Sequence, residues 1–147
     1  MNAKKSSRQL AVELLERSSY GVQMAAVLSD GHGNFAWGWN YPSADGMTVH
    51  AEQYAVSRAN PKRLTGARMT VAGRRKKSGN WVYSRPCEQK CLPLLRALGI
   101  AEIEFINKEG DWELQRLDWV RVPLEAGRPK AAVAAPLARR LLTGRVR

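Results

Sequence analysis

Apolar positions along this chain fall into short blocks whose period switches between helical and extended. From Ser6 to Arg17, Leu10, Ala11, Val12, Leu14 and Leu15 make one apolar face at helical spacing, and Ser6 or Ser7 stands where a cap is needed. Ser18-Ser19-Tyr20-Gly21 ends that helix. Val22–Leu28 is an apolar run of buried-strand length, and Asp30-Gly31-His32-Gly33-Asn34 reads as a turn with His32 facing solvent. Phe35, Trp37 and Trp39 then alternate with Ala36 and Gly38, so the two runs predict a hairpin. Tyr41–Met47, with Pro42 and Gly46, reads as a loop. A helix is predicted from about His50 to Ala59, stopped by Asn60-Pro61. Ala67–Ala72 predicts a strand, Gly73–Asn80 a basic turn and Trp81–Tyr83 a short strand. Cys87–Leu98 predicts a helix closed by Gly99. Ile103, Phe105 and Ile106 mark a further strand, Lys108–Asp111 a turn, and Trp112–Val120 a last strand-like stretch.

The order α-β-β-α-β-α-β-β implies an α/β layered protein with a central sheet flanked by helices. A chain of 147 residues, 44% of them apolar, suits one domain, placed at residues 1–124. From Glu125 the composition shifts to Ala, Pro, Arg and Gly. Residues 125–147 are therefore expected to be a basic tail, either disordered or a short helix around Ala131–Leu142 interrupted at Pro136. No apolar stretch approaches the ~20 residues of a membrane span, and Met1–Gln9 is polar and basic. The expectation is a cytoplasmic protein with no membrane partner. Assembly into a homo-oligomer is left open.

Charge sharpens this picture. The formal net charge is +11, and it is uneven. Residues 1–50 balance four Lys/Arg against four Asp/Glu; residues 51–100 carry eleven against two. A basic field there attracts phosphate, whether of a free nucleotide or of a polynucleotide. Arg74, Arg75, Lys76 and Lys77, with Trp81 and Tyr83 close by, are the candidates for a nucleic-acid contact. The plainer reading is a solvated surface that keeps the protein soluble.

The same segment holds the reactive groups. His50-Ala51-Glu52 is followed by Pro86-Cys87-Glu88-Gln89-Lys90-Cys91. One imidazole and two thiolates leave a fourth tetrahedral position for water on zinc, and a carboxylate that is not a ligand can move protons beside it. Singly, each has a bland reading: Glu52 as a helix N-terminal carboxylate, Cys87 and Cys91 as small buried apolar residues. Jointly these readings are poor, because the chain has only two cysteines and two histidines, and three of the four fall in this pattern. Two cysteines without an export signal also favour metal or catalysis over a disulfide.

H-x-E followed by P-C-x-x-C is the signature of zinc nucleobase deaminases, and the chain resembles the cytidine/deoxycytidylate deaminase superfamily over roughly residues 20–118. It differs in having three residues between the cysteines instead of two. Spacing i to i+4 still puts both thiolates on one side of a helix start, and APOBEC-type deaminases also tolerate a longer gap. The resemblance implies a three-layer fold with a mixed central sheet. It also implies Zn2+ on His50, Cys87 and Cys91, with Glu52 as the catalytic proton shuttle. Gly38-Trp39-Asn40-Tyr41-Pro42 is spelled most like bacterial tRNA adenosine deaminases. Ser84-Arg85-Pro86-Cys87 and Leu94–Ile100 look more like phage and bacterial deoxycytidylate-type proteins. The family's strand-end Asn makes Asn40 the first substrate-contact candidate, with Ala51, Ser84 and Arg85 beside it. The implied function is hydrolytic deamination of a cytosine-type nucleoside or nucleotide. The runner-up acts on a base within single-stranded DNA or tRNA. A third reading, a nucleic-acid-binding protein with structural zinc, has no use for Glu52.

Overall fold

A computed structural model of the protein describes residues 5–117; the expected tail at 125–147 lies outside them. Helix α1 (Ser7–Leu14) starts where the sequence offers a reciprocal cap. Gln9 N donates to Ser6 Oγ and Ser6 N donates back to Gln9 Oε1, satisfying two N–H groups that a helix start leaves orphaned. A short 3-10 turn, Leu15–Arg17, follows. Strands β1 (Val22–Asp30) and β2 (Gly33–Trp39) form the expected hairpin, with a register shift between Leu28 and Ser29.

The central sheet has the order β2-β1-β5-β6-β7, completed by β5 (Arg68–Arg75), β6 (Glu102–Ile106) and β7 (Trp112–Arg116). Only β5 and β6 are parallel, which makes the sheet mixed as expected. Helix α2 (Ala51–Arg58) connects β2 to β5, and α3 (Cys91–Ala97) lies in the crossover from β5 to β6. Side chains alternate along the strands between two cores. Ala25, Val27, Ala72 and Ile106 pack with Ala11, Leu14 and Leu15 on the α1 side. Ala26, Leu28, Met69, Val71, Ile103 and Phe105 pack with Ala55, Val56, Leu92 and Leu95 on the α2/α3 side. Burial on both faces explains why β1 reads as a continuous apolar run and not as an alternation. The one acid under α1, Glu104, is buried and held by Arg8 (2.6 Å) and by the Thr70 hydroxyl (3.2 Å). Among the described residues no helix is long and apolar enough to cross a membrane.

Four sequence expectations need correction. The Tyr41–Met47 loop contributes a short strand, β3 (Tyr41–Pro42), which pairs with β4 (Thr48–Val49). The basic turn begins only at Lys76: Gly73, Arg74 and Arg75 continue β5, because β1 runs beside them with Met24, Gln23 and Val22 as partners. Trp81–Tyr83 is no strand but a single bridge from Trp81 to Arg74. Finally, the third helix begins at Cys91 and not at Cys87. Pro93 accounts for that start. In the first turn its missing N–H costs nothing, whereas a helix from Cys87 would put it in the interior and break a backbone bond.

Candidate active site

The two ends that matter are the N-termini of α2 and α3. His50 is the N-cap of α2, with extended backbone (φ −72°, ψ 151°). Its N–H donates to Gln53 Oε1 (3.0 Å) and its carbonyl accepts from Tyr54 N (3.0 Å), which fixes the ring's point of departure. Glu52 follows in the first turn and is buried. Cys91 is the first residue of α3 and fully buried, while Cys87 sits in the turn before it. The extra residue between the cysteines is absorbed by a wide turn: Leu92 N donates to the Cys87 carbonyl across five residues (2.8 Å). In the same turn Cys91 N donates to Cys87 Sγ (3.3 Å).

These elements bring His50 Nδ1 to 3.3 Å from Cys91 Sγ and 3.9 Å from Cys87 Sγ. All three ligand atoms lie within 4.8 Å of one another. Tetrahedral zinc, with Zn–S of about 2.3 Å and Zn–N of about 2.0–2.1 Å, sets its ligands about 3.5–3.8 Å apart, so the donors fit that ion. Their protonation fits as well. Burial, and secondarily Lys90, lowers the His50 pKa and keeps the imidazole neutral. Burial, then the charges of Glu52 and Cys87, push the Cys91 thiol up, and a coordinated cation would offset this and favour the thiolate ligand. Glu52 is pushed up to about 7, first by burial, against smaller opposing hydrogen bonds from its own backbone and Cys91. A carboxyl poised near neutrality both takes and returns a proton.

A cavity of about 230 Å3 opens on this cluster, lined by Met24, Asn40, Thr48, His50, Ala51, Glu52, Arg85 and Cys87. Of the substrate candidates, Asn40, Ala51 and Arg85 therefore line it. Asn40 is nearly buried at the end of β2. Its Oδ1 accepts from Met24 N (3.0 Å) and the Ser18 hydroxyl, and its Nδ2 donates to the Val22 carbonyl (2.9 Å), leaving one amide hydrogen. Arg85 donates from Nε to Gln115 Oε1 (3.0 Å) and pairs with exposed Glu88 (3.3 Å). Ser84 is fully buried, and its hydroxyl donates to the Val82 carbonyl (2.8 Å), fixing the chain behind Arg85. Arg74, Arg75, Lys76 and Lys77 surround the end of β5 outside the cavity: Arg74 lies over the Trp81 ring (5.9 Å), and the other three are exposed.

Met24 and Thr48 were not singled out from the sequence. Met24 had a signal, since period-2 alternation puts it on the same strand face as Ala26 and Leu28; Thr48 had only its nearness to His50. Two glycines let the walls close. A Cβ on Gly38 would stand 2.7 Å from Ala55 N, so β2 and α2 approach there backbone to backbone. A Cβ on Gly73 would meet Met24 Sδ at 2.5 Å and Ser84 Oγ at 2.7 Å, next to the cavity.

Residues 1–107 match the profile of the cytidine and deoxycytidylate deaminase zinc-binding region. Among solved structures the chain is similar to the cytidine deaminase of Burkholderia pseudomallei, with a TM-score of 0.58 at 19% identity over 76% of this chain and 90% of that one. It is also similar to the cytidine deaminase of Mycobacterium leprae, with a TM-score of 0.51 at 20% identity over 79% and 94%. RibD of Acinetobacter baumannii aligns over 94% of this chain but 39% of its own length, with a TM-score of 0.51 at 16% identity. At these identities the likeness is one of fold. No curated protein shows significant sequence similarity to the chain.

Proposed function

Because the chain belongs to the cytidine and deoxycytidylate deaminase zinc-binding family, we propose that it hydrolyses the exocyclic amine of a cytosine-type base carried by a nucleoside or nucleotide. The observation that carries this reading is a buried carboxyl, Glu52, in one cavity with the His50, Cys87 and Cys91 donors. Zinc held by those three supplies Lewis-acid activation of a water. Glu52 does the proton work: its carboxylate takes the water's first proton and gives it to the ring nitrogen, then takes the second from the hydroxyl added to the base and delivers it to the departing amine. Burial keeps bulk water from competing for these transfers. Asn40, fixed by Met24 and Val22 of β1 and by the Ser18 hydroxyl, offers its remaining amide hydrogen to the substrate, and Arg85 stands in the same cavity wall.

A cavity of about 230 Å3 has room for one base, and the exposed cations Arg75, Lys76 and Lys77 lie outside it. That favours a second reading with the same chemistry, in which the base belongs to a single strand or a tRNA. A substrate panel tests the reaction: cytidine, deoxycytidine, their monophosphates, adenosine, and single-stranded DNA and RNA oligomers, scored for ammonia. Release from cytosine-containing members, lost in Glu52→Ala, is the expected result. Turnover of adenosine alone, or of nothing in zinc-loaded protein, refutes it.

A further inference from the structure

From Gln53 to Cys87 the chain has nine Lys/Arg and no Asp or Glu. Three of those cations are neutralised by partners outside the segment: Arg63 by Asp30, Arg68 by Glu102 and Arg85 by Glu88. Arg75, Lys76 and Lys77 make no ion pair among the described residues and stay exposed around the end of β5. Their charge sits at the C-terminal ends of the parallel pair β5/β6, where open α/β sheets present their ligand crevices.

A shallow groove of about 680 Å3 occupies the same edge, with Arg75, Asn80, Trp81, Tyr83 and Lys108 in its walls. Tyr83 is 53% exposed, an unusually wet place for a large ring, and an edge-to-face contact with Phe105 (5.5 Å) steadies it. Trp81 is steadied by Arg74 and by Gly110, where an added Cβ would come within 2.9 Å of the ring. Trp81 is half-buried and also packs against the α1-side core, while Tyr83 stays exposed, so both rings are held in place in the groove wall. From here the chain leads directly to the metal cluster. Along Trp81–Cys87, Ser84 and Pro86 are buried while Tyr83, Arg85 and Cys87 keep solvent access, so Tyr83 in the groove wall stands two residues along the chain from Arg85 in the cavity wall.

Resting on the deaminase reading above, we propose that this groove docks a single-stranded nucleic acid whose target base enters the cavity. Unpaired cations suit several phosphates in succession, steadied rings suit unstacked bases, and a cavity that takes one base requires the neighbouring nucleotides to lie outside it. Glu109 and Asp111 share the turn with Lys108, which places the main phosphate contacts at Arg75, Lys76 and Lys77.

The test is fluorescence anisotropy of labelled cytosine-containing single-stranded DNA and RNA 15-mers on the zinc-loaded full chain, across a salt series, with duplex DNA as comparison. Single strands of at least one of the two sugars are expected to bind more tightly than duplex and to be converted. Arg75→Gln with Lys76→Gln should flatten the slope of log K against log salt by about 1.4, at roughly 0.7 per lost contact. Tyr83→Ala should weaken binding on the order of tenfold and Tyr83→Phe should restore it, since only the ring stacks. Zinc content equal to wild type shows that each variant is folded; the Arg75/Lys76 pair, both exposed, serves if Tyr83→Ala is not. Binding unaltered by both sets, equal affinity for duplex, or conversion confined to free nucleotides overturns the docking surface. Failure of the deaminase reading looks different: oligomers bind with the expected sensitivities, and no substrate, free or polymeric, releases ammonia.

Discussion

Gly38→Ala is the sharpest perturbation of the link between fold and site. The new Cβ would lie 2.7 Å from Ala55 N, 2.8 Å from Tyr54 Cβ and 3.0 Å from the Ala51 carbonyl. Two of these neighbours are backbone atoms of α2 and cannot rotate away. Relief to a normal contact of about 3.5 Å requires β2 and α2 to separate by about 0.8 Å. Overpacking of this kind costs about 1–3 kcal/mol, and for a domain of this size each kcal/mol is worth roughly 3–6 °C, so Tm should fall by about 3–18 °C. The helix that moves carries His50 at its N-cap and Glu52 in its first turn. A misplacement approaching 1 Å can cost about 10²-fold in rate, so turnover should drop by more than the lost stability alone explains at a temperature where the variant is folded. Gly31→Ala is the control. Nothing stands within 4 Å of its new Cβ, and it leaves α2 untouched. Calorimetric scans and zinc titrations of both variants decide the matter. Gly38→Ala with wild-type Tm, zinc affinity and turnover would refute the claim that backbone contact with β2 sets the position of α2.

Other outcomes follow from the same geometry. Metal analysis of protein purified without chelator should find about one zinc per chain, and Cys87→Ala or Cys91→Ala should lose it along with much of the stability; a metal-free wild type contradicts the site. Glu52→Ala should keep zinc and fold yet lose at least about 10²-fold in turnover, about 2.7 kcal/mol of barrier, so a variant above a hundredth of the wild-type rate speaks against the proton shuttle. Asp30 is held down to about 2, chiefly by the hydrogen bond from Arg63 and also by one from the His32 N–H. A depressed carboxyl stabilises the fold above its unfolded pKa of about 3.9, and that contribution disappears as pH falls toward 2. In Arg63→Gln, NMR titration should show the Asp30 midpoint moving up toward its ordinary value, and an unmoved midpoint means that Arg63 is not the cause.

Much of the candidate site is legible in the residues themselves, because its parts are short and local. His50-Ala51-Glu52 and the two cysteines are a chemical statement wherever they lie, and Ser6 with Gln9 announces a helix start through bonds three residues long. Apolar runs and their periodicity located the five strands of the central sheet and the three helices of the described residues, since burial on one face writes itself into every second or fourth position and burial on both faces into an unbroken run. The tertiary structure decided what depends on distant partners. Arg74 and Arg75 read as turn residues until β1 is seen to pair with them, and a two-residue ladder such as Tyr41–Pro42 with Thr48–Val49 has no periodicity to read. The start of α3 was a local matter misjudged by spacing: Cys87 and Cys91 at i and i+4 suggested one helix, while Pro93 put Cys87 into the turn before it. Sequence spacing alone cannot say that His50 and Cys91, 41 residues apart, come within 3.3 Å, nor that Glu52 is buried beside them. Both results come from the sheet order, which sets the N-termini of α2 and α3 side by side and shields from water the one carboxyl between them.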